Sequence, residues 1–134
     1  MKILAMDQGP DAPEPSSARA TALERSTTKP MAYREIAPRA VFETMGTARL
    51  VDVREPHEFT GELGHVEGAE LVPLGTLEAA SKAWARDEPL IMICRSGGRS
   101  GRAAEHLSAQ GFTSVMNMVG GMLAWNDAGL PVAR

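Results

Sequence analysis

Cys94 is the only cysteine in a chain of 134 residues, and its neighbours make it a candidate nucleophile. Four apolar residues, Leu90, Ile91, Met92 and Ile93, lead into it; Arg95-Ser96-Gly97-Gly98-Arg99-Ser100-Gly101-Arg102 follows. This pattern predicts a buried strand, a tight glycine-rich loop and the start of a helix. Gly97 and Gly98 permit positive φ, so consecutive N–H groups can converge on an anion. The free N–H groups and dipole of the next helix add to that cradle. Arg95, Arg99 and Arg102 bring positive charge, and no acid occurs between Glu88 and Glu105. A free cysteine titrates near ~8.5, and such surroundings lower that to roughly 3.5–7.5. A thiolate held this way can attack sulfur and retain the product anion, a persulfide. A cysteine serving only to pack a strand end would need neither the paired glycines nor the arginines.

Such a loop needs a sheet to present it. Residues 33–36 read as an edge strand, and 38–45 as a short helix with proline in its first turn. Residues 50–53 form a strand, 55–59 a helical turn and 70–72 a third strand. A helix is predicted over 76–85, capped by Thr76, with Leu77, Ala80 and Trp84 at helical spacing. Leu90–Ile93 is the most apolar strand, as at the centre of a parallel sheet covered on both faces. A helix over 99–110 ends at Gly111. A fifth strand, Val115–Met118, precedes a last helix over 122–128. This alternation predicts an α/β fold: a central, mostly parallel five-stranded sheet with helices on both faces. Ligands of such sheets bind at the carboxyl ends of the strands, which is where Cys94 stands.

Composition narrows the rest. The chain is 43% hydrophobic and 23% charged, enough apolar content for one domain with a small core. A net charge of −3 argues against general nucleic-acid binding. No apolar run approaches the ~20 residues of a membrane span. One cysteine cannot form an internal disulfide, so a free thiol in a cytoplasmic protein is expected. One cysteine and three scattered histidines argue against a metal site, and no cofactor is expected. Residues 1–30 are rich in Pro, Ser, Thr and Ala without hydrophobic periodicity, which predicts a flexible tail before a domain over 31–134.

Cys94-Arg95-Ser96-Gly97-Gly98-Arg99 resembles the active-site loop of rhodanese-domain sulfurtransferases. Leu50-Val51-Asp52-Val53-Arg54-Glu55 with His57-Glu58-Phe59 resembles an early signature of that family. Gly64-His65-Val66-Glu67-Gly68-Ala69 is similar to the next one. Val119-Gly120-Gly121-Met122, Ala124-Trp125 and the segment 128–132 resemble its closing signature. The likeness runs from about Tyr33 to Val132. It implies a rhodanese-like fold and a covalent, two-step reaction. Cys94 would take the outer sulfur of thiosulfate, release sulfite, and pass the sulfur to a thiophilic acceptor: cyanide, a thiol or a protein. Arg95 and Arg99 would attract the dianionic donor. Ser96, Gly97, Gly98 and Ser100 would line the sulfur site, with the Ser100 hydroxyl assisting.

Other readings are weighed by the same loop. Related phosphatases and arsenate reductases have a loop one residue longer, ending in Arg; here that position is Ser100, which favours sulfur chemistry. An alternative is a persulfide carrier or interaction module that barely turns over thiosulfate. Asp52 and Arg54 are expected to brace the loop from a neighbouring strand end, His57 and His65 to be structural, and His106 to face solvent. Met92, Met116, Met118 and Met122 are expected to fill the core.

Overall fold

The computed structural model describes residues 33–134. The tail expected over residues 1–30 lies outside the described residues.

Five strands form one sheet: β1 (Arg34–Ile36), β2 (Arg49–Asp52), β3 (Glu70–Leu71), β4 (Leu90–Ile93) and β5 (Val115–Met118). Their order is β1-β5-β4-β2-β3, and every pairing is parallel. The helices are α1 (Pro38–Glu43), α2 (Pro56–Phe59), α3 (Leu77–Ser81), α4 (Gly98–Ala109) and α5 (Gly121–Asp127). The predicted α/β architecture is therefore present, and its most apolar strand, β4, lies at the centre.

Strand β4 is buried along its whole length because it faces apolar layers on both sides. Side chains alternate across a strand. Leu90, Met92 and Cys94 thus join one core cluster with Leu77 of α3 and Ala103, Ala104 and Leu107 of α4. Ile91 and Ile93 join the other, with Val41 of α1 and Met122 and Trp125 of α5. Met92, Met118 and Met122 are fully buried core fillers, as expected, while Met116 is partly buried against the second cluster. Trp125 packs α5 down, and its indole N–H donates to the Pro131 carbonyl at 2.9 Å. Complete burial of a side chain of this size is worth roughly 1.5–3 kcal/mol.

Several predicted boundaries move. The helix expected over 76–85 is a 3-10 turn, Leu74–Thr76, followed by α3, which stops at Ser81. Thr76 does not cap it: its hydroxyl donates back to the Pro73 carbonyl at 2.8 Å. Beyond Ser81 the chain tightens, with the Trp84 N–H donating to the Ser81 carbonyl, and this tucks Trp84 into the core against Phe112 and beneath Arg49. Helix α4 begins at Gly98, one residue earlier than predicted, and α1 ends at Glu43. Among the described residues no helix is long and apolar enough to cross a membrane.

Candidate active site

Gly97 makes the turn from β4 into α4. Its φ of 104° is a left-handed conformation that residues with a Cβ resist. Gly98 is different: it is the first residue of α4, has no positive φ, and has open space where a side chain would start. Only one of the two loop glycines is therefore required by backbone conformation. The turn folds the loop back on the thiol. The Gly97 N–H donates to Cys94 Sγ at 3.0 Å, and Ser100 Oγ lies 3.3 Å from the same sulfur. Helix α5 clamps the loop from behind: the N–H groups of Met122 and Leu123 donate to the carbonyls of Cys94 and Arg95, at 2.8 and 3.0 Å.

Cys94 is 1% exposed, and burial pushes its thiol up. The Ser100 hydroxyl and the N–H groups of Ser100, Gly97 and Ser96 outweigh this, so the thiol ends below its ordinary value. Hydrogen bonds to the anion, ahead of arginine charge, produce the expected direction.

Arg99 explains why. Both of its terminal nitrogens donate to the Glu58 carboxylate, at 2.8 and 2.9 Å. Glu58 is fixed in turn by a reciprocal cap on α2, where its Oε1 accepts the Glu55 N–H at 3.0 Å and Glu55 accepts the Glu58 N–H. The arginine-rich loop without acids in sequence thus acquires an acid in space. Arg95 is exposed and borders a cavity of about 330 Å³ shared with Arg54, His57, Glu58 and Glu62. Ser96 is exposed and Ser100 buried, so the loop presents Arg95 and Ser96 outward and the Ser100 hydroxyl inward.

Asp52 and Arg54 form a buried ion pair, with Arg54 Nε and a terminal nitrogen donating to the carboxylate at 2.8–3.2 Å. Arg54 also donates to the Gly64 carbonyl at 2.8 Å. The pair therefore ties the end of β2 to the segment at Gly64, rather than bonding the cysteine loop as expected. His65 is structural: it stacks on Phe59 at 3.6 Å, with Nδ1 2.8 Å from the Phe59 carbonyl. His57 lines the cavity. His106 is half-buried in a groove beside Glu78 and Arg102, so it does not simply face solvent.

Two residues escaped the sequence reading: Glu58 and Asn117. Asn117 is 3% exposed on β5, and its Oδ1 accepts from Ser100 Oγ at 2.6 Å while its Nδ2 donates to the Gly97 carbonyl at 3.2 Å. A signal was present. An asparagine within the otherwise apolar strand Val115–Met118 must find buried partners, and its alternation with Met116 and Met118 points it toward α4.

A family model described as "Rhodanese-like domain" matches residues 39–128. An uncharacterized protein of Bacillus subtilis is 42% identical over 78 residues, covering 58% of this chain and 60% of the relative. A sulfurtransferase of Allochromatium vinosum is 35% identical over 83 residues, covering 62% of this chain and 76% of the relative. Among the curated relatives it matches, the chain spans as little as 40% of the relative's length. The solved structure of a rhodanese-related protein from Thermoplasma volcanium superposes with a TM-score of 0.67 at 31% identity, over 74% of this chain and 96% of that one. The matched residues hold four of the five strands, the cysteine loop and its clamp, and the chain belongs to the rhodanese-like domain family.

Proposed function

We propose that this chain is a sulfurtransferase that moves sulfane sulfur from thiosulfate to a thiophilic acceptor through a persulfide on Cys94. The observation that carries this reading is the sulfur's surroundings: a Gly97 N–H at 3.0 Å and the Ser100 oxygen at 3.3 Å, on a thiol drawn below its ordinary value. The Cys94 thiolate attacks the outer sulfur of thiosulfate. A new S–S bond forms as the old one breaks, its electron pair leaves with sulfite, and the negative charge ends on the outer sulfur of Cys94–S–S⁻. An acceptor thiolate or cyanide then takes that sulfur and regenerates the Cys94 thiolate. No cofactor is needed for either step. Cys94 is the only cysteine, so the sulfur leaves to an external acceptor, and the unpaired thiol suits the cytoplasm.

Intact-mass measurement after incubation with thiosulfate tests the reading. The expected result is a gain of one sulfur atom, absent in Cys94→Ser and removed by cyanide as thiocyanate. No adduct and no thiocyanate would sink it.

The Glu58–Arg99 ion pair favours a second reading, a persulfide carrier loaded by a partner. One of the two arginines assigned to attract a dianion is already engaged. A normal persulfide load with negligible steady-state thiocyanate formation distinguishes the carrier.

A further inference from the structure

Ser100 has one hydroxyl proton and faces two acceptors: Cys94 Sγ at 3.3 Å and Asn117 Oδ1 at 2.6 Å. The far end of the Asn117 amide fixes its orientation. It lies 3.2 Å from the Gly97 carbonyl oxygen and must be the NH₂ group, because two oxygens there would repel. The amide oxygen therefore faces Ser100. Two oxygens 2.6 Å apart require a proton between them, and an amide oxygen has none to give. Ser100 donates to Asn117 and meets the neutral thiol through a lone pair, accepting the Cys94 S–H. Once the thiol proton leaves to solvent, the sulfur anion draws the same hydroxyl proton. Turning it to sulfur strips Asn117 of its donor and sets oxygen lone pairs against each other in a buried place.

We propose that Asn117 is a positioning residue that competes with the Cys94 thiolate for the Ser100 proton and so sets the balance between thiol and thiolate. The proposal rests on Cys94 being the nucleophile. It has a consequence for the loaded form: once the charge sits on an outer sulfur, Cys94 Sγ is no longer an anion and the proton returns to Asn117. The pair thus favours the loaded state over the empty thiolate. Other charges near Cys94 come from Arg95 in the loop, Arg99 on α4 with its partner Glu58 on α2, and the Asp52–Arg54 pair at the end of β2. The Tyr33 hydroxyl lies over Gly101. Strand β5 and the segment Gly121–Trp125 bring no ionisable group, so on that side Asn117 reaches the sulfur through the Ser100 hydroxyl and not through a titrating charge.

The test is the pH profile of iodoacetamide alkylation of the full chain, whose single thiol makes the signal unambiguous. Asn117→Ala frees the Ser100 proton for sulfur. Below the midpoint it should be alkylated roughly twofold to tenfold faster than the unchanged protein. Ser100→Ala should be slower, and in that background Asn117→Ala should change nothing. Equal acceleration in both backgrounds, or none in either, overturns the proposal. Should Asn117→Ala fail to fold, the NMR signals of the Asn117 side-chain amide in the unchanged protein supply the readout. They should move with Cys94 ionisation and stay still in Cys94→Ser; an amide that ignores the ionisation overturns the proposal. Alkylation needs no sulfur donor, so a failed thiosulfate reaction would leave this result intact.

Discussion

Arg99 and Glu58, 41 residues apart in sequence, form a two-pronged ion pair beside the thiol loop, with donor–acceptor distances of 2.8 and 2.9 Å. Parallel N–H donors on a carboxylate fix direction as well as charge. The pair holds the first turn of α4 against α2. It also sets a negative charge at the rim of the cavity through which, on the proposed thiosulfate reading, the dianionic donor would enter, and Glu62 adds a second.

Glu58→Gln should therefore improve thiosulfate use. Glutamine keeps the oxygen that accepts the Glu55 N–H, so the α2 cap survives, but it releases the Arg99 charge. The half-saturating thiosulfate concentration should fall about threefold to tenfold, with turnover at saturation little changed. The gain should shrink as salt is added. Thiocyanate formation measured across donor concentrations checks this; an unchanged or raised KM contradicts it.

The same pair predicts a pH dependence of stability. Hydrogen bonds from Arg99, working against burial, lower the Glu58 carboxyl from 4.5 to about 2. A depressed folded value means the stabilisation is complete above the unfolded value of 4.5 and is lost as pH falls toward about 2. The pair is partly exposed, so the effect is modest, about 1 kcal/mol or less. Melting temperatures of the unchanged protein and Glu58→Gln should differ near neutral pH and converge below about 2. A constant difference across the range would refute the linkage.

What the sequence made legible here follows from range. Strand β4 and its glycine turn were readable because apolar runs and glycines act on their own neighbours. Glu58 carried a local signal, the acidic pair at residues 55 and 58 of a capping box, but its partner Arg99 is fixed only by the fold. Gly98 misled for the opposite reason: glycine permits a positive φ without requiring one, and here the turn is completed by Gly97 alone. The end of α3 was invisible because the tertiary demand to bury Trp84 overrode a helical period.

Arg54 should be the most costly charge to remove. It is 1% exposed, and Asp52, its partner, is fully buried. Arg54→Met leaves a carboxylate without a partner in the core and frees the Gly64 carbonyl. Urea unfolding should show a loss of about 3–5 kcal/mol. Replacing Asp52 as well, with Leu, should recover part of it, since the buried charge is gone. A loss below about 1 kcal/mol for the single change would mean that Asp52 takes a proton at little cost.

Two glycines of the site should respond in opposite ways to alanine. Gly121 has a φ of 58°, and a Cβ there would lie 2.6 Å from the carbonyl carbon of Arg95 and closer still to the carbonyl oxygen of Cys94. Gly121→Ala must push the loop away from α5, stretching the bonds from the Met122 and Leu123 N–H groups that hold it. Stability should fall by about 2–4 kcal/mol. The persulfide load should fall too, because the N–H groups aimed at the sulfur belong to the displaced loop. Gly98, although part of the loop itself, has room for a Cβ and no positive φ. Gly98→Ala lies in the first turn of α4, where reduced freedom of the unfolded chain should leave stability unchanged or raise it by up to about 1 kcal/mol. Denaturation midpoints of the two variants, with intact-mass measurement after thiosulfate, separate these outcomes. Equal losses would show that the loop requires glycine at position 98 for a reason other than backbone conformation, since the folded protein leaves that space open.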